Sequence, residues 1–256
     1  MSVLHGLVMP APIWLVQRLA LAGLHDNVGR WANRVAGGLE MLRARLILWA
    51  LGAVLGLAQP LGAENLQSTF SVRLYGAPVG QMVLAANVAS GGYAAKGEFR
   101  TTGLAGLLAR VRFTMSSRGT GAPIKMVPRS YSEDLDTGYR TSANSLSFPA
   151  GDGRIDPLIA MLAALIDRPA GQGCDYDGKS FDGKRTMTIR IRKTSDSGGT
   201  LTCNGQIRRI AGYTSKEMEQ ATVFPFTVQL ARSGDTLTVR RADVATIHGN
   251  VALVRR

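Results

Sequence analysis

The chain has 256 residues, 30 of them Lys or Arg against 18 Asp or Glu, for a formal net charge of +12, and only three histidines. This balance suits contact with anionic surfaces, but no helix-turn-helix, zinc-finger or aromatic stacking pattern accompanies it, so nucleic acid is not expected as a partner. Two cysteines, Cys174 and Cys203, cannot make a zinc site without further ligands, and only one of the three histidines, His248, lies in their part of the chain.

The first forty residues are moderately apolar but broken by Pro10, Pro12, Gln17 and Arg18, which makes a poor membrane span. The stretch 41–63 is different. Arg43 and Arg45 precede 13 uncharged residues from Leu46 to Ala58, then Gln59 and Pro60 break the run and Leu61-Gly62-Ala63 supplies small residues. Thirteen residues fit a secretory h-region and fall short of the roughly 20 that span a bilayer. The reading is a signal peptide cut after Ala63, which places the protein in the periplasm; the alternatives are an inner-membrane anchor through 46–58 or a buried helix. A signal peptide belongs at a chain's start, so Met41 competes with Met1 as the true start, with 1–40 an upstream extension.

Residues 64–256 are 193 in number and carry 25 basic and 16 acidic side chains, a net +9. That length builds one domain with its own core. From Leu66 the text alternates with period two: Phe70, Val72 and Leu74, then Met82, Leu84, Ala86 and Val88 beyond a turn at Gly76-Ala77-Pro78, then Ala95, Gly97 and Phe99 beyond Ser90-Gly91-Gly92. Residues 102–109 are apolar without that period and read as a short excursion covering one end of the sheet. Strand character returns over 111–117, 126–134 and 138–148.

One convincing helix follows. Asp156 is a good N-cap, Pro157 suits the first helical position, and Pro169 and Gly171 end the element. Leu158, Met161, Leu162 and Leu165 share one stripe, widened by Ile159 and Ile166. So apolar a helix must be covered, and the concave face of the sheet is the available cover. Further strands are expected over 187–192, 200–210, 225–232, 236–241 and the tail 243–254, with Asp177-Gly178 and Asp182-Gly183 as tight turns before them. About ten strands and one helix make a mainly β protein, a curved antiparallel sheet or an open barrel with the apolar helix packed on it.

Two cysteines in an exported chain most economically pair, so Cys174 and Cys203, 29 positions apart, are expected to form one disulfide. A search for catalysis finds none. His248 is the sole histidine after Ala63, no nucleophile elbow is present, and Ser116-Ser117 have no base nearby in sequence. Glu133, Asp134 and Asp136 lack the spacing of a calcium loop, so no metal and no cofactor is expected. What remains is shape: a curved apolar sheet with a helix on it can hold a lipid-like ligand, with Leu107, Leu108, Leu158, Met161, Leu162 and Leu165 as candidate lining. Arg190, Arg192, Arg208, Arg209, Arg240 and Arg241 are a candidate anion-facing surface for a membrane or an envelope protein, provided their strands are neighbours.

The order of several short motifs resembles a known family. Gly97 to Leu108 (GEFRTTGLAGLL), Ser116-Ser117-Arg118, Asp156-Pro157-Leu158, Phe181 to Arg185, and Cys203 followed by Arg208 to Tyr213 together resemble the bacterial domain-of-unknown-function 3108 family, over about 69–247. The resemblance implies an exported, mostly β envelope protein with no established activity, and it carries over no catalytic residue. The forty residues before Met41 have no counterpart in it.

Overall fold

The computed structural model describes residues 64–139 and 141–256. The expected extension at 1–40 and leader at 41–63 lie outside the described residues.

The period-two alternation becomes an antiparallel meander whose neighbours in sequence are neighbours in space. Strands β1 (Glu64–Leu74), β2 (Ala77–Ala89) and β3 (Gly92–Thr101) lead into helix α1 (Gly103–Leu108), then β4 (Arg112–Thr120), β5 (Val127–Asp136) and β6 (Thr141–Ser147). Helix α2 (Pro157–Leu165) and a two-residue β7 (Arg168–Pro169) follow. The second series is β8 (Tyr176–Phe181), β9 (Thr186–Ser197), β10 (Thr200–Ala211), helix α3 (Ser215–Gln220), β11 (Val223–Ser233), β12 (Thr236–Thr246) and β13 (Gly249–Arg255). The sheet order is β6-β5-β4-β3-β2-β1-β13-β12-β11-β10-β9-β8, with β7 set on β12. First and last strands thus meet in the middle, through the β1–β13 pair.

A twisted sheet of this many strands curls, because each strand turns by roughly 20–25° from its neighbour. Here it curls into a barrel that does not close: β6 and β8 are its two edges. Across the seam between them, the Asn144 side-chain amide donates to the Asp182 carbonyl. Ile155, on the loop before α2, also forms a parallel bridge with Ser180 of β8, its N–H donating to Lys179 O at 2.9 Å and its carbonyl accepting from Phe181 N at 2.9 Å.

Thirteen strands exceed the ten or so expected. The surplus has a local cause. The Asp177-Gly178 pair, expected as a turn, lies inside β8, where Asp177 faces outward and Gly178 lies close to the Ile155 side chain, whose Cδ1 would be 2.8 Å from a Cβ there. The other addition is the two-residue β7; the tail adds none, since its first residues extend β12 to Thr246 and the rest, after the turn at Ile247-His248, forms β13. Helix α3 also lay outside the expectation of a single helix.

Two-residue hairpin turns set the register where they occur. Tyr75-Gly76 and Ser90-Gly91 both have positive φ at both positions, the conformation whose twist matches the flanking strands. Inward-facing residues of both series form one core, including Phe70, Leu84, Met115, Tyr131, Ile191, Leu201, Val228, Leu230, Leu237 and Val239. Because every neighbour is antiparallel, the connections gather at two poles. One pole carries the turns 75–76, 137–139, 182–185 and 247–248 with α1 and α3, and we call it the near pole. The far pole carries 90–91, 121–126, 148–155, 198–199 and 234–235.

Candidate functional site

Helix α2 lies on the concave face and buries Leu158, Ile159, Leu162, Ala163 and Leu165. It is held at both ends. At its start, Asp156 accepts from Ile159 N at 2.9 Å, the N-cap bond, and from Ser117 Oγ at 2.6 Å, while Tyr93 Oη lies 2.9 Å from the same Ser117 hydroxyl. Asp156, Ser117 and Tyr93 are all buried. Burial pushes the Asp156 carboxyl up to about 6 against the opposing pull of its hydrogen bonds from Ser117 and the helix backbone. The Tyr93 phenol is also raised, chiefly by burial.

Just past the helix, Asp167 takes two bonds from the Arg255 guanidinium, at 3.1 and 2.9 Å, and one from Val239 N at 2.9 Å. Arg255 also donates to Ser68 Oγ and Gln67 O, so one arginine ties the helix end to β1 and β13. Arg168 folds back on the helix C-terminus, donating Nε and Nη2 to Ile166 O at 3.2 and 3.0 Å. Its burial lowers its pKa to about 10, with Asp167 opposing the shift. The residues that receive α2 (Ser117, Val239, Ser68 and Arg255) sit in the far-pole half of their strands, so the helix crosses the barrel there.

Crossing at that level, α2 leaves a cavity of about 280 Å³ between itself and the near-pole half of the sheet. Pro157, Ala160, Met161, Ala164 and Leu165 form one wall; Phe113, Met187, Ile189, Ile207, Phe226, Val228, Val244 and Leu253 belong to the other. No lining residue carries a titratable side chain. Two hydroxyl residues, Ser180 and Thr188, stand among the apolar ones, and only Ser180 has a buried hydroxyl without a partner. Ser180, on the inward face of β8 opposite Met187, is buried, lines the cavity, and has no hydrogen-bond partner for its Oγ.

Of the six expected lining residues, Met161 and Leu165 face this cavity. Leu158 and Leu162 are packed into the core under the helix instead. Leu107 is 83% exposed on α1, away from the cavity, and the side chain of Leu108 lies outside the described residues. An uncharged apolar run reads as core, yet α1 sits on the barrel's end, where nothing in the sheet reaches over it. Phe113, Ile207, Phe226 and Val244 were missed. Each alternates correctly for an inward position, but only the sheet order shows that they converge.

The six arginines do not form a single surface. Arg190 and Arg192 share the Asp177 carboxylate at 3.1 and 2.5 Å, which holds Asp177 below the usual carboxylate range. Arg208 joins Arg190, Lys179 and Gln206 in an open groove on the outer face. Arg209 turns toward the C-terminal end of α3, donating to the carbonyls of Glu217 and Ala221, and stacks over Tyr213 and Phe224. Arg240 and Arg241 lie on β12, separated from β9 by two strands, and Arg241 pairs with Asp243 at 2.6 Å. Register explains the dispersal: Arg208 is level with Val223 on β11 and Arg241 with Gln229, six residues or about 20 Å further along.

The expected disulfide is present. Cys174 and Cys203 are bonded, with Cα atoms 6.4 Å apart, and they staple the chain before β8 to the inner face of β10 near the far pole. His248 is exposed in the β12–β13 turn. Among the described residues no group of three or more His, Cys, Asp or Glu is placed to hold a metal ion, and no helix is long and apolar enough to cross a membrane. The Asp156–Ser117–Tyr93 chain joins residues that sequence reading left apart. Ser117 is 1% exposed and does not line the cavity, so the chain acts as a helix anchor. Comparison with protein-family models, with curated proteins and with solved structures finds no match.

Proposed function

We propose that this is an exported, non-enzymatic envelope protein that holds an apolar, lipid-like ligand in the cavity between α2 and the near-pole half of the sheet. The observation that carries the reading is that cavity, about 280 Å³ and lined by apolar side chains with one unpaired hydroxyl. An interior normally packs to crystal density. Here the helix is suspended by ion pairs and hydrogen bonds at both ends, so the gap beside it is framed from both sides. An apolar cavity of about 150 Å³ accepts benzene, and by that ratio this one takes roughly eleven carbons, the length of a medium acyl chain. The free Ser180 hydroxyl suits a carbonyl or carboxylate oxygen on such a chain, since an unmade buried hydrogen bond costs about 1–3 kcal/mol.

Export supports the same reading: the 41–63 segment has the make-up of a signal peptide, and a disulfide persists in an oxidising compartment. The test is extraction of the purified protein followed by mass spectrometry, together with titration by decanoate. Binding by the native protein, lost in Met161→Trp, is the expected result; no extracted apolar molecule and no decanoate binding would refute the proposal. A second reading, an envelope module acting through protein contacts, draws on the exposed Leu104 and Leu107 of α1. It predicts decanoate-independent capture of an envelope protein that Leu104→Asp abolishes.

A further inference from the structure

Seven large hydrophobic side chains are exposed among the described residues: Tyr75, Leu104, Leu107, Val127, Tyr139, Ile210 and Ile247. Scattered exposed hydrophobics are ordinary on a protein surface. These are not scattered. Tyr75 is in the β1–β2 turn, Leu104 and Leu107 are on α1, Tyr139 is in the β5–β6 turn, Ile210 is at the end of β10, and Ile247 is in the β12–β13 turn. All six belong to the near pole, and only Val127 belongs to the far one. They come from five separate connections distributed around the sheet, so no single loop's composition accounts for them.

Three further features mark this rim. Tyr75 holds φ 50°, a left-handed conformation that bulky residues adopt only at a cost, and is still 78% exposed. A Cβ on Gly249 would meet the Tyr75 hydroxyl oxygen, so that glycine lets the ring of one rim turn lie over another. The base of the α1 excursion is pinned: Thr101 Oγ1 donates to Ala109 O at 2.8 Å and accepts from Val111 N at 3.0 Å, so the two leucines are presented from a tied loop. Basic residues stand among the apolar ones. Arg110 and Arg185 pair with Asp136 and Glu217, while Arg100, Lys184 and Lys216 are exposed with no ion-pair partner among the described residues.

We infer that the near-pole rim is a membrane-docking surface for an anionic phospholipid bilayer. Tyrosines sit well at the boundary between headgroup and hydrocarbon, leucines and isoleucines enter the acyl layer, and Lys and Arg between them meet lipid phosphate. A protein partner would be served by a pocketed cluster of contacts, whereas a ring of side chains around one end of a barrel presents itself to a flat surface. The cavity agrees with this orientation. Phe113, Met187 and Val244, each within three residues of its strand's near-pole end, line it, so its apolar wall lies on the rim side of α2. The inference goes beyond ligand holding and stands on different residues.

Sedimentation with vesicles of phosphatidylcholine, with and without phosphatidylglycerol, is the first test. The full chain is expected to bind phosphatidylglycerol vesicles, and Leu104→Asp/Leu107→Asp to weaken that binding at least tenfold. Val127→Asp at the far pole leaves it unchanged, and all variants still take up decanoate. Because the 41–63 segment is itself apolar, amide hydrogen exchange supplies a second measurement: vesicles slow exchange at 102–111 and in the 75–76 and 247–248 turns, while the 198–199 and 234–235 turns are unaffected. Unchanged exchange at the rim overturns the inference even if the chain sediments. So does loss of a protein partner, rather than of vesicle binding, in the rim variant. Loss of decanoate binding with vesicle binding intact would instead strike at the cavity reading alone.

Discussion

The two poles of this barrel are built on opposite plans. At the far pole every device is a restraint: the Cys174–Cys203 staple, the buried Asp156–Ser117–Tyr93 chain, and the Asp167–Arg255 pair that fixes the end of α2. At the near pole the interior is unfilled, the turns carry exposed Tyr, Leu and Ile, and the charges include Arg100, Lys184 and Lys216 without partners among the described residues. One end spends its polar chemistry on holding a helix still, and the other leaves apolar surface uncovered. On the proposed roles, the contrast teaches that restraint and membrane docking draw on different ends of the molecule, with α2 the one element that links the clamps to the cavity.

The largest effect is expected from opening the staple. Cys174→Ser/Cys203→Ser removes a loop constraint over 29 positions and should lower the unfolding free energy by about 3–4 kcal/mol, read by urea denaturation, with vesicle binding by the surviving native fraction unchanged. Next, Arg255→Ala strands the Asp167 carboxylate and frees the end of α2. A loss of about 2 kcal/mol is expected for this partly buried pair, and decanoate binding should weaken with it because the helix is one wall of the cavity. A stability loss without any change in decanoate affinity would show that α2 needs no clamp to frame the site.

The third effect depends on pH. The folded Asp156 pKa of about 6 lies above the ordinary carboxylate value, so the protonated form is the one favoured by folding. Its contribution is fully present below the unfolded pKa of about 3.9 and is lost as the pH rises through about 6, with a slope of at most about 1.4 kcal/mol per pH unit. Asp156→Asn retains an N-cap acceptor and should flatten that part of the stability profile between pH 4 and 6. The smallest effect is expected on the outer face: Arg192→Ala leaves Asp177 with Arg190 in an exposed cluster, and urea denaturation should place it within about 0.5 kcal/mol of the native protein.

Much of the scaffold could be read from the residues because alternation is a local signal. Phe70 through Leu74 and Met187 through Ile191 announce their inward faces without reference to anything distant, and Asp156-Pro157 marks the start of α2 by cap chemistry alone. Where reading failed, the deciding partner lay far along the chain. Gly178 looks like a turn former until Ile155 arrives beside it, and the arginines look like one patch until the register places Arg208 and Arg241 six residues apart on β11. Helix α3 did leave a local trace, the Thr214-x-x-Glu217 capping box, in which Glu217 N donates to Thr214 Oγ1 and Thr214 N donates to the Glu217 carboxylate. Ser180 left none, since a serine is conspicuous only once its surroundings are known to be apolar.

The seam between β6 and β8 sets this protein apart from a barrel of fixed girth. In a closed barrel, strand number and shear fix the diameter, and every gap is sealed by a ladder of main-chain bonds. Here one side-chain amide and a single bridging residue, Ile155, span the join, and Ile155 is attached directly to the start of α2. On the proposed ligand-holding role, guests of different bulk would be admitted by parting two edges and shifting one helix, while the other strands keep their pairing, as the lacing of a shoe adjusts to the foot without altering the sole.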